Sequence, residues 1–381
     1  MRPTSGPISA ITSRSEAAGA SLAHLAEVRW GLLAATLLLA AIGLATVHSA
    51  SSELATDYLP RQLVWVAVGL VLLLVSMSVD YHALVGLAIP FYGLGLLLLV
   101  IVLLAGHEAG GARAWLGIGA WRIQPSEFAK LATALLLARH LGRVKQRHLN
   151  LRQIAVAVAI AAVPMALVAV EPDLGGAAMF VPMLLGMLIV AGVRVRILAA
   201  FTLVFVLGAA ATWTFGMQDY QRQRVATFLR PESDPLGAGY QVRQSKIAVG
   251  SGEFLGRGYM QGTQSQLRFL PARHTDFVFA VLAEEWGFLG VATALALYGF
   301  YIANGAEVAM RARDRLGVLL VVGVLAVIAF HVLYNTAMVV GLVPITGIPL
   351  PFLSYGGSFM LVNFIATGII LGVDYRRYVN R

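Results

Sequence analysis

The sequence predicts an all-α, polytopic membrane protein of ten transmembrane helices, with a large extracytoplasmic loop between helices 7 and 8. Three observations carry this expectation. Hydrophobic residues make up 59% of the chain and charged residues 12%, with a mean hydropathy of +0.78, whereas a soluble domain is about one quarter charged. Apolar runs able to cross a bilayer, which takes roughly 20 helical residues, recur along the whole chain. Lys and Arg gather in alternate connections, the pattern of cytoplasmic loops.

Residues 1–24 are rich in Ser, Ala and Gly and are expected to form a disordered cytoplasmic N-terminus. Residues 25–381 read as a single transmembrane domain. Its candidate spans are Trp30 to Val47, Leu63 to Val79, Ala83 to Ala105, Ser126 to Leu141, Ile154 to Val170, Leu174 to Ala191 and Ile197 to Phe215. Phe277 to Ala303, Leu316 to Leu342 and Phe359 to Val373 follow a long polar segment. Backbone amides in lipid must be bonded internally, so these spans are helices. Val47-His48-Ser49 mimics a signal cleavage site, but the apolar run before it is too long for a signal sequence, and an uncleaved helix is expected. A cytoplasmic N-terminus puts Arg139, Arg143, Lys145, Arg147, Arg152, Arg194, Arg196, Arg311, Arg313, Arg315, Arg376, Arg377 and Arg381 inside. The short outer loops then hold only Arg61, Arg113 and Arg122. Both termini are cytoplasmic on this reading, and residues 216–275 lie outside. The net charge of +9 is accounted for by this topology and does not point to nucleic acid. The absence of Cys excludes disulfides and thiolate metal sites.

Residues with chemistry collect in the outer segments. After the third span, Pro125 suits the first turn of a helix that Gln124 or Ser126 would cap, and Glu127 and Lys130 share one helix face. Trp115 and Trp121 suit an interfacial belt. The residues alone leave two readings open, a capped helix with an internal ion pair or a charged pair lining a polar cavity. In the turn Glu171-Pro172-Asp173, Asp173 is placed to cap the next helix. Arg61 either snorkels at the interface or faces a carboxylate across a cavity. The long outer segment spreads Arg222, Arg224, Lys246 and Gln264 among dense glycines. That suits an anionic, hydroxyl-rich ligand such as a pyrophosphate-linked sugar, with a solvated surface loop as the alternative; the P-loop spacing is absent. Arg273, His274 and Asp276 stand together where this segment meets an apolar run, and ionisable groups at such a depth are functional candidates. Helix capping by Asp276 is equally open. Either Glu284 or Glu285 should face the interior. Pro344 to Ser358 is Pro- and Gly-rich at membrane depth, which is tolerated only where backbone is buried in protein or lines a watery cavity.

Several strings in order resemble the SEDS family of bacterial cell-wall glycosyltransferases over nearly all of the chain after residue 28. They are Gln124-Pro-Ser-Glu127, Glu171-Pro-Asp173-Leu-Gly, Asp234-Pro-Leu-Gly-Ala-Gly-Tyr240, Gly262-Thr-Gln264, Arg273-His-Thr-Asp276-Phe and Ser354-Tyr-Gly-Gly357-Ser. Gln264-Ser-Gln266 and Arg273-His274 look more like the family's elongation, rod-shape member than its division member. The resemblance implies a multi-pass protein of the bacterial cytoplasmic membrane that polymerises lipid II into glycan strands at the outer face during elongation and shape maintenance. It places the essential acidic residue on Asp276 and the polar cavity on Arg61, Glu127, Lys130 and Asp173. It implies substrate contacts from Trp115, Gln124, Ser126, Arg222, Arg224, Lys246, Gln264, Arg273, His274 and Ser354, and a class B penicillin-binding protein, a transpeptidase, as partner. Asp276 is expected to act as base and to be a candidate ligand for Mg²⁺ or Mn²⁺. One departure stands out: Ala114 precedes the loop Trp where the family often has Arg, with Arg113 beside it. A lipid II flippase is the alternative, but a transporter should carry polar residues through the middle of several helices, and here they collect near the outer ends.

Overall fold

A computed structural model describes residues 28–52, 57–109, 112–118, 121–144, 146, 148–194, 196–197, 199–200, 227–228, 230, 234 and 237–379. The expected N-terminal tail, most of the span Ile197 to Phe215, and Arg222 and Arg224 lie outside the described residues.

Helix α1 (Trp30–Ser51) is followed by α2 (Leu59–Ser78), the short α3 (Tyr81–Gly86) and α4 (Ala88–Ala105). Three strands come next, β1 (His107–Ala109), β2 (Ala112–Ile118) and β3 (Trp121–Ile123). Then come α5 (Pro125–Gly142), α6 (Leu151–Val170), α7 (Leu174–Ala178) and α8 (Phe180–Val190). The outer segment holds α9 (Ala238–Ser251) and α10 (Thr263–Gln266), and the chain ends with α11 (Val278–Arg311), α12 (Arg315–Val339) and α13 (Gly357–Val379). Among the described residues, α1, α2, α4, α6, α11, α12 and α13 are long and apolar enough to cross a membrane. Helix α5 matches the predicted fourth span but carries Glu127, Lys130 and Arg139, and α7 with α8 forms the shorter sixth.

The predicted third span is two helices. Asp80 caps the first by accepting from His82 N at 2.9 Å, and the chain turns at Leu87 before α4. The loop after α4 is an antiparallel sheet of order β1-β2-β3, which the sequence pattern did not reveal. Two of its strands are only three residues long, shorter than most strands in globular proteins, and Gly117 interrupts the seven-residue one.

Within the bundle α13 packs along α2, α11 along α1, and α12 against α8 and α11. Two breaches in its helices place the polar groups. The first is in α11, where Gly287 has φ 62 and ψ −160. Residues 253–258 fill the gap. Arg257 N and Gly258 N donate to the carbonyls of Glu284 and Glu285, both at 3.0 Å, while Phe288 N and Leu289 N donate to Glu253 O and Phe254 O at 2.9 and 3.1 Å. Backbone freed at membrane depth is thereby bonded again, as lipid requires. The second breach is the irregular segment 340–356 between α12 and α13, whose Ile348, Leu350, Phe352 and Leu353 are buried. Tyr334 donates to Pro344 O at 3.1 Å, His331 Nδ1 bonds Pro349 O at 3.0 Å, and Tyr298 donates to Pro351 O. The expectation of a Pro- and Gly-rich segment enclosed by protein is met.

Gly287→Ala tests the break. The conformation is almost exclusive to glycine and costs about 1–3 kcal/mol for other residues, and a Cβ there would collide with Gly256 N. The variant should melt well below wild type in detergent, with the loss exceeding that of Gly299→Ala, whose Cβ would meet nothing within 4 Å.

Candidate functional site

Helix α2 presents Tyr58, Arg61 and Trp65 toward one hollow; Tyr58 immediately precedes the helix, and the spacing of three and four residues aligns them on one face. The hollow measures about 430 Å³. Its other walls are Trp115 of β2, Arg122 of β3, His274 and Thr275 before α11, and Tyr355, Gly356 and Gly357 at the start of α13. Pairing of Gly117 with Arg122 in the sheet fixes the backbone of Arg122 relative to the strand that carries Trp115. None of these described lining residues is acidic. Two fixed cations thus face a cleft with four aromatic walls, a setting that favours an anion with a flat or sugar-like body.

His274 adds no charge to this wall. Its ring stacks on Tyr58, with centroids 4.5 Å apart and planes 10° from parallel. Burial, with the Arg273 guanidinium next to it, pushes its pKa down to about 4, so the imidazole is neutral near pH 7. Burial also raises the Tyr355 phenol above its ordinary value, opposed by Arg61. The phenol is therefore a proton donor and not an anion at neutral pH.

Asp276 is half-buried and stands beside the hollow; His274 and Thr275 form the wall at that point. Its carboxylate faces Gly347: a Cβ built there would lie 3.6 Å from Oδ2. Gly347 has φ +73, so glycine both permits the turn and leaves room in front of the acid. Asp276 does not cap α11, whose N-cap is Phe277 with no side-chain cap bond. Instead the chain before the helix closes in a turn, with Thr275 N and Asp276 N donating to Ala272 O at 3.1 and 3.0 Å.

Of the sequence-predicted site residues, Arg61, Trp115 and His274 lie in the wall and Asp276 beside it. Gln124 and Asp173 meet nearby: Gln124 Nε2 donates to Asp173 Oδ2 at 3.1 Å and Gln124 N to Ser358 Oγ at 2.8 Å. Asp173 also caps α7, accepting from Gly176 N at 2.7 Å. Neither Gln124 nor Ser126 caps α5 with its side chain; Ser126 is buried in its first turn. Glu127 and Lys130 form a buried ion pair at 2.8 Å on a separate crevice of about 40 Å³ that His331 also lines. Arg273 is buried and donates Nε to Ala50 O at 2.6 Å, anchoring the pre-helix turn to α1. Gln264 donates its backbone N–H to Glu284 Oε1 at 2.7 Å, and Lys246 lies against Gly341. Ser354, expected to touch substrate, is fully buried; its hydroxyl donates to Thr275 O at 2.6 Å and accepts from Leu350 N at 2.8 Å. None of these lies in the described wall. Both Glu284 and Glu285 face inward, the latter accepting from Ser49.

Sequence reasoning passed over Tyr58, Trp65, Arg122 and Tyr355 as site residues. The first two were legible as helical neighbours of Arg61; Arg122 required the sheet. A fifth omission is Glu171, buried beside Asp173, with neither carboxylate oxygen hydrogen-bonded among the described residues. Burial, reinforced by Asp173, pushes it up to about 8.

No group of three His, Cys, Asp or Glu side chains suited to a metal occurs among the described residues. The described residues therefore build no dedicated protein cage for a divalent cation. A single carboxylate such as Asp276 does fit the way Mg²⁺ is held by one or two carboxylates plus substrate phosphates.

Residues 29–379 match the cell cycle protein family of FtsW, RodA and SpoVE. Peptidoglycan glycosyltransferase MrdB of Escherichia coli K12 is 39% identical over 354 residues, covering 93% of this chain and 94% of that protein. A chain of a peptidoglycan synthase complex that coordinates polymerization and crosslinking superposes with a TM-score of 0.79 at 32% identity, over 92% of this chain and 98% of that one. The rod shape determining protein RodA of Thermus thermophilus gives 0.69 at 30% identity with the same coverage.

Two outcomes follow from the buried charges. Glu171 is protonated when folded and ionised when unfolded between the usual carboxylate range and about pH 8, so stability falls as pH rises through that window, by up to about 1.4 kcal/mol per unit. Glu171→Gln should therefore gain on wild type in melting temperature from pH 5 to 8, with a flat difference above. Lys130→Met should destabilise by about 3–5 kcal/mol by stranding a buried carboxylate, while Glu127→Gln with Lys130→Met should recover much of that loss in the same melting assay.

Proposed function

The chain belongs to the FtsW, RodA and SpoVE family, and from that premise we infer that it is a peptidoglycan glycosyltransferase that polymerises lipid II. It is a multi-pass membrane protein. The arginine bias supports placement in the cytoplasmic membrane with both termini inside, residues 25–381 as one transmembrane domain, and the hollow on the outer face. The observation that carries the reading is a hollow with Arg61, Arg122 and aromatic walls and no acid among its described lining residues, next to a half-buried carboxylate that faces Gly347.

The donor is a growing strand whose reducing-end C1 is α-linked to lipid pyrophosphate, and the acceptor is the 4-hydroxyl of a lipid II GlcNAc. Asp276 takes the proton from that hydroxyl as its oxygen attacks C1. The C1–O4 bond forms as the C1–O bond to phosphate breaks, and the electron pair leaves on the pyrophosphate oxygen. A single displacement inverts C1, and the new linkage is β. Arg61 and Arg122 hold the leaving pyrophosphate and compensate the charge that grows on it. Trp65, Trp115, Tyr58 and Tyr355 offer faces for the sugars and shield the site from water. A divalent cation held by Asp276 and the pyrophosphate oxygens would add Lewis-acid stabilisation of the leaving group.

The likeness to a chain of a synthase complex supports a class B penicillin-binding protein as the partner that crosslinks the product. A flippase would need a polar route as wide as a disaccharide through the bundle. The crevice at Glu127 and Lys130 holds only about 40 Å³ and is lined mainly by apolar side chains.

Purified protein, with and without its transpeptidase partner, should be given lipid II and assayed for glycan polymer. Asp276→Ala and Asp276→Asn, matched for expression, should lose about 10²–10⁴-fold in rate; polymerisation at the wild-type rate by both would remove Asp276 as base. Loss of activity in chelator, restored by Mn²⁺ or Mg²⁺, is the result expected for the cation, and indifference to chelator would exclude it.

A further inference from the structure

Asn335 lies in α12, four residues from its C-terminal end, with no exposed surface. Its carboxamide nitrogen donates to Asp276 O at 2.9 Å and to Ile348 O at 2.7 Å, so both N–H groups are used. Two carbonyl acceptors fix the orientation of the amide, because a flipped amide would set oxygen against oxygen. The oxygen Oδ1 is buried and accepts no hydrogen bond among the described residues. The side chain is thus committed to tying two backbones together.

Those two backbones flank the carboxylate. Asp276 O belongs to the acid itself, and Ile348 follows Gly347, the residue that leaves room in front of Oδ2. Helix α11 does not use the Asp276 carbonyl: the N–H groups of Ala280 and Val281 both go to Phe277 O, at 2.9 and 3.2 Å. Three consecutive carbonyls are in fact held from outside. Tyr355 N bonds His274 O at 2.9 Å, Ser354 Oγ bonds Thr275 O at 2.6 Å, and Asn335 bonds Asp276 O. The first two holders come from the loop before α13. Asn335 alone among the three comes from within a spanning helix, and it holds that loop as well.

We propose that Asn335 is a positioning residue for glycosyl transfer, using its two amide protons to fix the spacing between the Asp276 backbone and the Gly347–Ile348 segment. The acid is thereby aimed at the space that Gly347 leaves open. The inference rests on Asp276 acting as the base. Misplacement of a reacting group by about 1 Å can cost roughly 10²-fold in rate without loss of binding, so the effect belongs in kcat.

Asn335→Leu removes both donors at similar size, and Asn335→Ser leaves at most one. Each would be purified with its partner, checked by melting temperature and by lipid II binding, and assayed for initial polymerisation rate against lipid II concentration. The expected result is a fall in kcat of about tenfold or more with KM within about threefold of wild type, and no further loss when Asn335→Leu is added to Asp276→Asn. Wild-type kcat in a folded Asn335→Leu variant would overturn the proposal, as would a loss confined to KM or full additivity with Asp276→Asn. If the Leu variant does not fold, Asn335→Ser decides by the same criteria. Failure of the base reading is separable, because Asp276→Asn alone would then keep its activity whatever Asn335 does.

Discussion

Backbone polar groups have no water to bond with at membrane depth, and the irregular segments of this protein are arranged around that constraint. A helix that breaks in lipid must find new partners for its freed N–H and C=O groups. At Gly287 the partners are the backbone atoms of residues 253–258. At 344–356 they are side chains of Tyr298, His331, Tyr334 and Asn335. The candidate site sits where the second of these breaches meets the start of α11. Chain that is neither helix nor strand can bring a carboxylate, a glycine and an aromatic ring into positions that a regular helix would not allow. Fixing it, however, requires a partner for each carbonyl. The bonds to the carbonyls of His274, Thr275 and Asp276 meet that need, so the requirement that keeps the backbone stable in lipid also sets the site's geometry.

Charge is distributed with a similar division. Acids near the site are either neutralised, buried or held to one side. Glu127 is paired with Lys130, and Glu284 is bonded by Gln264 N and Ser265 N. Glu171 is kept protonated by its burial and by Asp173. The hollow itself keeps only positive charge, from Arg61 and Arg122, because burial holds His274 neutral. A cleft so composed, with no acid among its described lining residues, suits a pyrophosphate. The low local dielectric then strengthens each contact once water has left.

The helices were legible in the sequence because lipid enforces one rule, a run of about 20 apolar residues. Nine predicted spans have their counterparts among the described residues, and the departures occur where the rule is locally suspended. Leu87 divides one span and Gly287 another without altering hydropathy, so no apolar window could show them. The Glu127–Lys130 pair and the Asp173 cap were legible from spacing, since both are local. The sheet at 107–123 was not, because two of its strands are too short to display alternation and Gly117 interrupts the third. Ser354 illustrates the limit for single residues: its place in a polar string marks it as important, yet only the fold shows that its hydroxyl is spent on Thr275 O. Asn335 lies beyond sequence reach for the same reason: His331 and Thr336 stand near it in an apolar helix, and only the fold shows which carbonyls its amide meets.

A carboxylate that must take a proton from a sugar hydroxyl needs exposure, whereas one that must be aimed needs restraint. Holding the side chain directly with hydrogen-bond donors would stabilise the ionised form and weaken it as a base. Two restraints at residue 276 act on the main chain: its N–H goes to Ala272 O and its carbonyl accepts from Asn335. Gly347 in front of the side chain adds no bulk. Backbone restraint of this kind positions the acid without itself donating to the carboxylate. It also explains why the groups that set its geometry lie among the buried polar residues of α12 and the 344–356 segment, while the hollow's own wall holds the cations.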